Sequence, residues 1–130
     1  MAASKIDGAG TAKLKTLEEA LSQLQTVHGK VETYAMELKR GGNAGTLVMQ
    51  LRRLVPMLVG LLKPQFGMIA DQAAGLNLVI SRGGNDQTRL RALREGVATL
   101  RQAIELTAKR VEEQHTVVEE EEAPREEQGR

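Results

Sequence analysis

The tetrapeptide RGGN occurs twice in this chain, at residues 40–43 and again at residues 82–85. An arginine suits the negative end of a helix dipole, and glycine readily adopts the left-handed conformation that ends many helices. Asparagine is a favoured N-cap, so it can start a new helix directly after the glycines. Each copy therefore predicts the end of one helix and the start of the next, and the two copies divide the chain into three helical segments.

The first and third segments carry apolar residues at alternating steps of three and four, which is the pattern of a helix with one buried face. Thr16 and Glu19 form a possible capping box, so the first helix is predicted to begin between residues 11 and 17. The third helix is predicted over residues 87–118. We call the line of residues at these steps the seam of each helix. The seam of the first helix comprises Leu14, Leu17, Leu21, Leu24, His28, Val31, Ala35 and Leu38, flanked by Ala20, Val27 and Tyr34. The seam of the third helix comprises Leu90, Leu93, Val97, Leu100, Ile104, Thr107, Val111, His115 and Val118.

The middle segment is apolar beyond one face. Residues 54–62, LVPMLVGLL, include no polar side chain, and Lys63 and Asp71 are the only charged residues between positions 54 and 81. Pro56 and Pro64 each remove a backbone donor, so each should bend or end a helix. We predict an all-α fold: three long helices, the middle one kinked at the two prolines, in an up-down-up bundle, or four helices if the chain breaks at Pro64.

The charges are divided between the body of the chain and its end. Residues 1–110 carry 16 lysines and arginines against 9 acidic residues, whereas residues 111–130 carry 2 against 8. The last stretch, EEEEAPREEQGR at residues 119–130, has a proline and no large apolar side chain, a composition typical of disorder. We therefore predict a flexible N-terminus over residues 1–11, a helical bundle over residues 12–118 and a disordered acidic tail over residues 119–130.

Composition makes several classes of function improbable. The chain has no cysteine, which excludes disulfides, thiolate metal sites and cysteine nucleophiles. Tyr34 and Phe66 are the only aromatic residues, too few for base-stacking platforms. Serines occur only at positions 4, 22 and 81, and no glycine loop follows a predicted strand, so neither a catalytic triad nor a nucleotide site is indicated. We predict a protein that is not an enzyme, that needs no cofactor and that is cytoplasmic, since MAASKIDGAG at residues 1–10 lacks a signal sequence.

The apolar middle segment predicts an interaction surface. A three-helix bundle covers only part of its central helix, and soluble proteins rarely expose a large apolar patch. A second copy of the chain, giving a dimer, or another helical protein is expected to cover it, which makes the protein a structural or adaptor protein. The uninterrupted run is about half of the ~20 residues that a membrane span requires, so no span is predicted. The predicted interface comprises Leu54, Val55, Met57, Leu58, Leu61, Leu62, Phe66, Met68 and Ile69.

A second hypothesis uses the basic residues. A stripe of arginines could neutralise the phosphates of nucleic acid or the headgroups of an acidic membrane, with the acidic tail modulating binding. Against this, Arg91 with Glu95, Arg101 with Glu105 and Lys109 with Glu113 are spaced to pair along one helix. Arg52, Arg53 and Arg94 lack such a partner. The candidate anion-binding residues are Arg52, Arg53, Arg91, Arg94 and Arg101.

A third hypothesis concerns His28. The segment VHGKVE at residues 27–32 resembles the phosphorylated histidine of histidine-phosphotransfer domains, which are helical bundles, and the resemblance implies a phosphate carried on His28. It covers three residues, and here Gly29 and Lys30 follow directly whereas the family places a lysine three residues on. The heptad phase points His28 into the seam, where a structural role is expected. His28 and His115 are the only histidines, so no metal site is predicted.

Overall fold

The computed structural model describes residues 4–82 and 84–118, and within them the fold is all-α, as predicted. Four helices form a bundle: α1 (Gly8–Arg40), α2 (Gly45–Leu62), α3 (Gly67–Ser81) and α4 (Asp86–His115). Short connections make each helix antiparallel to the next, and α1 packs against both α2 and α4, while α3 also packs against both. This is the four-helix alternative of the prediction, in an up-down-up-down order.

The two prolines of the middle segment behave differently. Pro56 lies inside α2, between the buried side chains of Val55 and Leu58, whose packing holds the helix together across the missing hydrogen bond. After Leu62 no side chain is fully buried until Ile69, and only Phe66 is half-buried, so little packing offsets the cost of Pro64 and the chain turns there. The kink predicted at both prolines is therefore a break at the second one.

The RGGN turns work largely as predicted. Gly41 has φ 72°, in the left-handed region, and the Gly42 amide donates to the Glu37 carbonyl at 2.9 Å. The Asn85 side chain caps α4 by accepting from the amides of Gln87 and Thr88.

Asn43 stands one residue ahead of the cap of α2. Its side chain accepts from the Gly45 amide at 2.9 Å, but Ala44 is the residue at the N-cap and makes no side-chain bond.

The first helix begins earlier than the sequence suggested. Asp7 is its N-cap, with the carboxylate accepting from the Gly10 amide at 2.7 Å, whereas Thr16 lies inside the helix and donates to the Ala12 carbonyl. Aspartate is as good a cap as threonine, and it lies farther upstream, so the helix extends back to it. Part of the segment predicted as a flexible N-terminus is therefore helical from Gly8.

Two short strands precede and follow the helices. β1 (Ser4–Ile6) pairs antiparallel with β2 (Thr116–Val118), with Ser4 opposite Val118. Residues 116–118 were predicted to belong to the last helix, which instead ends at His115. The predicted acidic tail, residues 119–130, and residues 1–3 lie outside the described residues.

The helices differ in length by a factor of about two. α1 and α4 have 33 and 30 residues, whereas α2 and α3 have 18 and 15. At ~1.5 Å per residue these lengths are about 50, 45, 27 and 22 Å. The α2–α3 hairpin therefore covers about half of the α1–α4 pair, at the end that carries the RGGN turns. At the other end only α1 and α4 continue, packed side by side, and the pairing of β1 with β2 closes this end.

The buried residues of α4 confirm its predicted apolar face. On α1 the buried face is turned to one side of the predicted one. On α4 the buried residues are Leu90, Leu93, Val97, Leu100, Ile104 and Val111, all from the predicted seam. On α1 the predicted seam is only partly buried, because α1 contacts α2 as well as α4 and the buried arc shifts towards the flank. The fully buried side chains of α1 are Leu17, Ala20, Leu24, Val27, Val31 and Tyr34.

Candidate interaction surface

The predicted interface divides into three groups in the structure. Met57 and Met68 are 60% and 83% exposed, so they are free to contact a partner. Three further residues are half-buried and pack against the core: Leu54, Leu61 and Phe66. The other four are inside the protomer's own core, which contradicts their assignment to an interface: Val55, Leu58, Leu62 and Ile69. They are buried because α3 folds back on α2 and, with α1, covers this side of the helix.

Two exposed apolar residues of the same hairpin were missed by the sequence analysis. Met49 on α2 is 56% exposed and Leu78 on α3 is 66% exposed. Treating the middle segment as one helix hid Leu78, because its outward position is apparent only when the helical phase of α3 is taken separately from its own buried residues. We call the outward surface of α2 and α3 the hairpin face, and it comprises Met49, Arg53, Pro56, Met57 and Gly60 of α2 and Met68, Asp71, Gly75 and Leu78 of α3.

The charges around the hairpin face are mostly basic. Arg52, Arg53 and Lys63 are exposed on or beside α2, and Arg82 is exposed directly after α3. Asp71 is the only acidic residue between positions 45 and 82. Neither Asp71 nor Arg82 makes an ion pair within residues 4–82 and 84–118.

The candidate anion-binding arginines do not form one stripe. Arg52 and Arg53 are on α2, while the remaining three are on α4, at the opposite corner of the bundle, because each of these helices packs against α1 and α3. Two of the α4 arginines point towards α1. Arg94 binds the Glu32 carboxylate through Nε at 3.0 Å and a terminal nitrogen at 2.8 Å, and Arg101 donates to the Gln25 side chain at 3.3 Å.

The Arg94–Glu32 pair corrects the prediction that Arg94 lacks an acidic partner. Residue spacing reveals partners along one helix only, and Glu32 is on α1. The hydrogen bond from Arg94 lowers the pKa of Glu32 and raises that of Arg94. Among the ion pairs of the described residues, none joins Arg91 to Glu95, Arg101 to Glu105 or Lys109 to Glu113.

His28 lies at the edge of the seam and is 38% exposed, with Nε2 3.9 Å from a Glu32 oxygen. That carboxylate would face any phosphoryl group on His28 and repel it, which weighs against a phosphotransfer role.

His115 is at the other end of the bundle. Its Nδ1 is 3.2 Å from the Asp7 carboxylate, and its Nε2 is 3.3 Å from Nζ of Lys13. The Gly10 amide is the main cause of the lowered pKa of Asp7, and His115 adds to it. His115 packs beside Gly10, 18 residues before His28 along α1, which separates the two histidines by roughly 27 Å. Within residues 4–82 and 84–118 no group of three acidic or histidine side chains could hold a metal ion.

A polar cluster that the sequence analysis missed joins α1 to α4 beside the second RGGN turn. The Tyr34 hydroxyl donates to Asp86 at 2.6 Å and accepts from Arg89 at 3.2 Å. Arg89 also donates to Asp86 at 2.9 Å and to the Arg82 carbonyl at 2.8 Å. Burial and the bond to Asp86 raise the pKa of Tyr34. The cluster fixes the end of the bundle. Within the described residues Nε of Arg89 is buried without a hydrogen-bond partner, and Asp86 and Arg89 line a cavity together with Asn43 and Arg52.

Helix α2 has the length and composition of a membrane-crossing segment, with mean hydropathy 1.3 over its 18 residues. The core helices of soluble proteins pass the same test. In this fold one side of α2 packs inside the bundle, and Arg52 and Arg53 stand at its midpoint, where charges are costly in a bilayer.

No family model matches the chain, and no curated protein or solved structure matches it. Function can therefore be inferred only from the surface of the bundle.

Proposed function

We propose that this protein is a small structural or adaptor protein that works by docking a helical surface, in the first place that of a second copy of itself, on its hairpin face. The observation that supports the proposal is that four of the six exposed large apolar side chains of the described residues lie on this hairpin: Met49, Met57, Met68 and Leu78. The other two, Met36 on α1 and Leu106 on α4, are each 51% exposed. Methionine adapts its shape to a facing surface, which suits it to interfaces between helices.

The energetics allow such a complex. Burying on the order of 600 Å² of apolar surface at ~25 cal/mol/Å² contributes roughly 15 kcal/mol. Association costs of roughly 4 to 15 kcal/mol must be subtracted. The difference is compatible with a dimer that forms and dissociates at cellular concentrations.

Sedimentation of the full chain over a wide concentration range tests the proposal. The wild type should shift from the 14.2 kDa of a protomer towards twice that mass as its concentration rises. Met68→Glu should remove the shift, because a carboxylate cannot be buried without a partner charge. Met36→Glu is the control, since Met36 is an exposed methionine, 51% against the 83% of Met68, that belongs to α1.

Two outcomes would count against the proposal. One is a wild type that stays monomeric up to millimolar concentration, and the other is an equal loss of association in both variants. Circular dichroism of each variant establishes that the helices are intact, so a loss of association is not mistaken for unfolding.

The alternative function, binding of nucleic acid or an acidic membrane, depended on a continuous arginine stripe. The structure divides those arginines between opposite corners of the bundle and pairs Arg94 with Glu32. Arg52, Arg53, Lys63 and Arg82 do give the hairpin face basic surroundings, but they form no continuous stripe with the arginines of α4, so we do not propose that alternative.

A further inference from the structure

Helix α3 carries a second seam on the side opposite its core. Asp71, Gly75, Leu78 and Arg82 follow one another at steps of four, three and four, the spacing of a coiled-coil stripe. At ~100° per residue Asp71, Gly75 and Leu78 fall within an arc of about 60°, and Arg82 follows as the C-cap residue directly after the helix. Asp71, Leu78 and Arg82 are exposed, and Gly75 is half-exposed. The buried residues of α3 occupy the other side of the helix: Ile69, Ala70, Ala73, Leu76 and Ile80.

Gly75 has no role inside the protomer that another residue could not fill. A Cβ atom added there would meet nothing within 4 Å, whereas one added at Gly96 of α4 would come within 2.5 Å of Leu76. Gly29 and Gly60 are equally open, so what distinguishes Gly75 is its place in the outer seam of α3. Glycine weakens a helix interior, so its place there calls for a reason outside the protomer. A close approach by another helix is such a reason, because the missing side chain leaves a gap for a neighbour's side chain.

One register of an antiparallel pair satisfies the whole seam. The midpoint between Asp71 and Arg82 coincides with the midpoint between Gly75 and Leu78. If two copies of α3 cross there on a two-fold axis, Leu78 of each inserts at the partner's Gly75, and Asp71 of each faces the partner's Arg82. Both contacts occur twice, as they must in an isologous interface.

An antiparallel α2–α2 crossing at the midpoint of the helix would give the opposite result. Arg52 and Arg53 stand at the midpoint of α2, so an antiparallel α2–α2 pair would place like charges against each other at its two-fold axis. Charge complementarity thus selects α3 as the crossing helix of the hairpin face.

We propose that the protein forms a two-fold symmetric dimer in which α3 packs antiparallel against α3 of a second copy, with Leu78 seated at Gly75 and Asp71 paired with Arg82 across the interface. This inference rests on the proposed function and specifies its contact. Met68 extends the apolar contact at each end of the crossing.

A charge exchange between two variants tests the register. Asp71→Lys alone should weaken the dimer about tenfold or more, because the introduced ammonium group would face the partner's Arg82 at both ends of the crossing. Arg82→Glu alone should weaken it similarly, with acidic residues facing each other. An equimolar mixture of the two variants should restore association to near the wild-type value, since each heterodimer then contains two opposite-charge pairs. The readout is the dimer dissociation constant from sedimentation.

A steric variant provides a second measurement. Gly75→Leu has room in the protomer but fills the gap at the crossing, so it should abolish dimerisation. Gly29→Leu is its matched control, because a side chain at Gly29 of α1 also meets nothing within 4 Å. Both variants should keep or increase helicity by circular dichroism.

The outcomes separate this inference from the proposal on which it rests. A wild type that never dimerises removes both. A wild type that dimerises, with a mixture of the charge variants that does not recover and a Gly75→Leu variant that still associates, overturns the α3 crossing and leaves the hairpin face as the docking surface.

Discussion

Replacing Tyr34 by phenylalanine tests whether the polar cluster at the RGGN end holds α1 to α4. The substitution keeps the buried ring and removes only the hydroxyl, which donates to Asp86 at 2.6 Å and accepts from Arg89 at 3.2 Å. A hydrogen bond to a charged group contributes about 1.5 to 3 kcal/mol. Asp86 is 52% exposed and can bind water instead, so we expect a loss of about 1.5 kcal/mol, the lower end of that range.

The assay is urea unfolding at neutral pH, followed by far-ultraviolet circular dichroism at one fixed protein concentration. A double-mutant cycle with Asp86→Ala isolates the contribution of the pair, since the two substitutions should be less than additive if the hydroxyl acts through that carboxylate. A loss below about 0.5 kcal/mol for Tyr34→Phe, which is the range of a neutral surface change, would refute the reasoning.

The stability difference between the wild type and Tyr34→Phe should also depend on pH. Burial and Asp86 raise the pKa of Tyr34 above its unfolded value, so the phenol contributes stability in full below about pH 10. As the pH rises above that value, the unfolded chain ionises first and this contribution is lost. The wild type should therefore lose its advantage over Tyr34→Phe in alkaline solution, and a constant difference across that range would argue against the assignment.

Three further predictions concern the helices themselves. Asn85→Ala should lower the free energy of unfolding by about 1 kcal/mol, because the Asn85 side chain accepts from two amides at the start of α4. Asn43→Ala should lower it by less, because Asn43 precedes the N-cap of α2 and accepts from one amide. Urea unfolding of both variants measures the difference. Leu58→Ala should cost roughly 2 to 5 kcal/mol in the same assay, since Leu58 is fully buried. Arg94→Ala should raise the carboxyl pKa of Glu32 towards its ordinary value in an NMR titration. Because that pKa is lowered in the fold, the pair stabilises the protein above the ordinary pKa of glutamate, and this contribution is lost as the pH falls through the folded value.

The sequence was most informative where a residue type has one strong local preference. Gly41 ends α1 and Asn85 begins α4 as their chemistry predicts, and the periodicity of α4 identified its buried residues. The number of helices was less determined, because a proline permits either a kink or a break. Packing decides between these outcomes: buried neighbours hold the helix at Pro56, and their absence lets the chain turn at Pro64.

The residues of the candidate surface were predicted only in part, again because packing between helices decides which of them are exposed. A continuous apolar run shows that the middle segment is buried on many sides, but the run does not distinguish burial within the protomer from burial against a partner. Leu58 and Leu62 are buried within the protomer, whereas Met57 and Met68 are on its outward surface. This difference becomes apparent only once α3 is seen to fold back onto α2. Contacts between distant positions, such as Arg94 with Glu32, have no local signature at all.

The antiparallel pairing of β1 with β2 also sets how the fold responds to tension. Because Ser4 lies opposite Val118, a force that pulls on both ends of this chain acts across the ladder and opens its backbone bonds one after another instead of shearing them together. The strand pair would open first, and α1 and α4 would then separate from that end before the load reaches the α2–α3 hairpin. The molecule should therefore yield gradually at the strand end and resist most strongly beside the glycine turns.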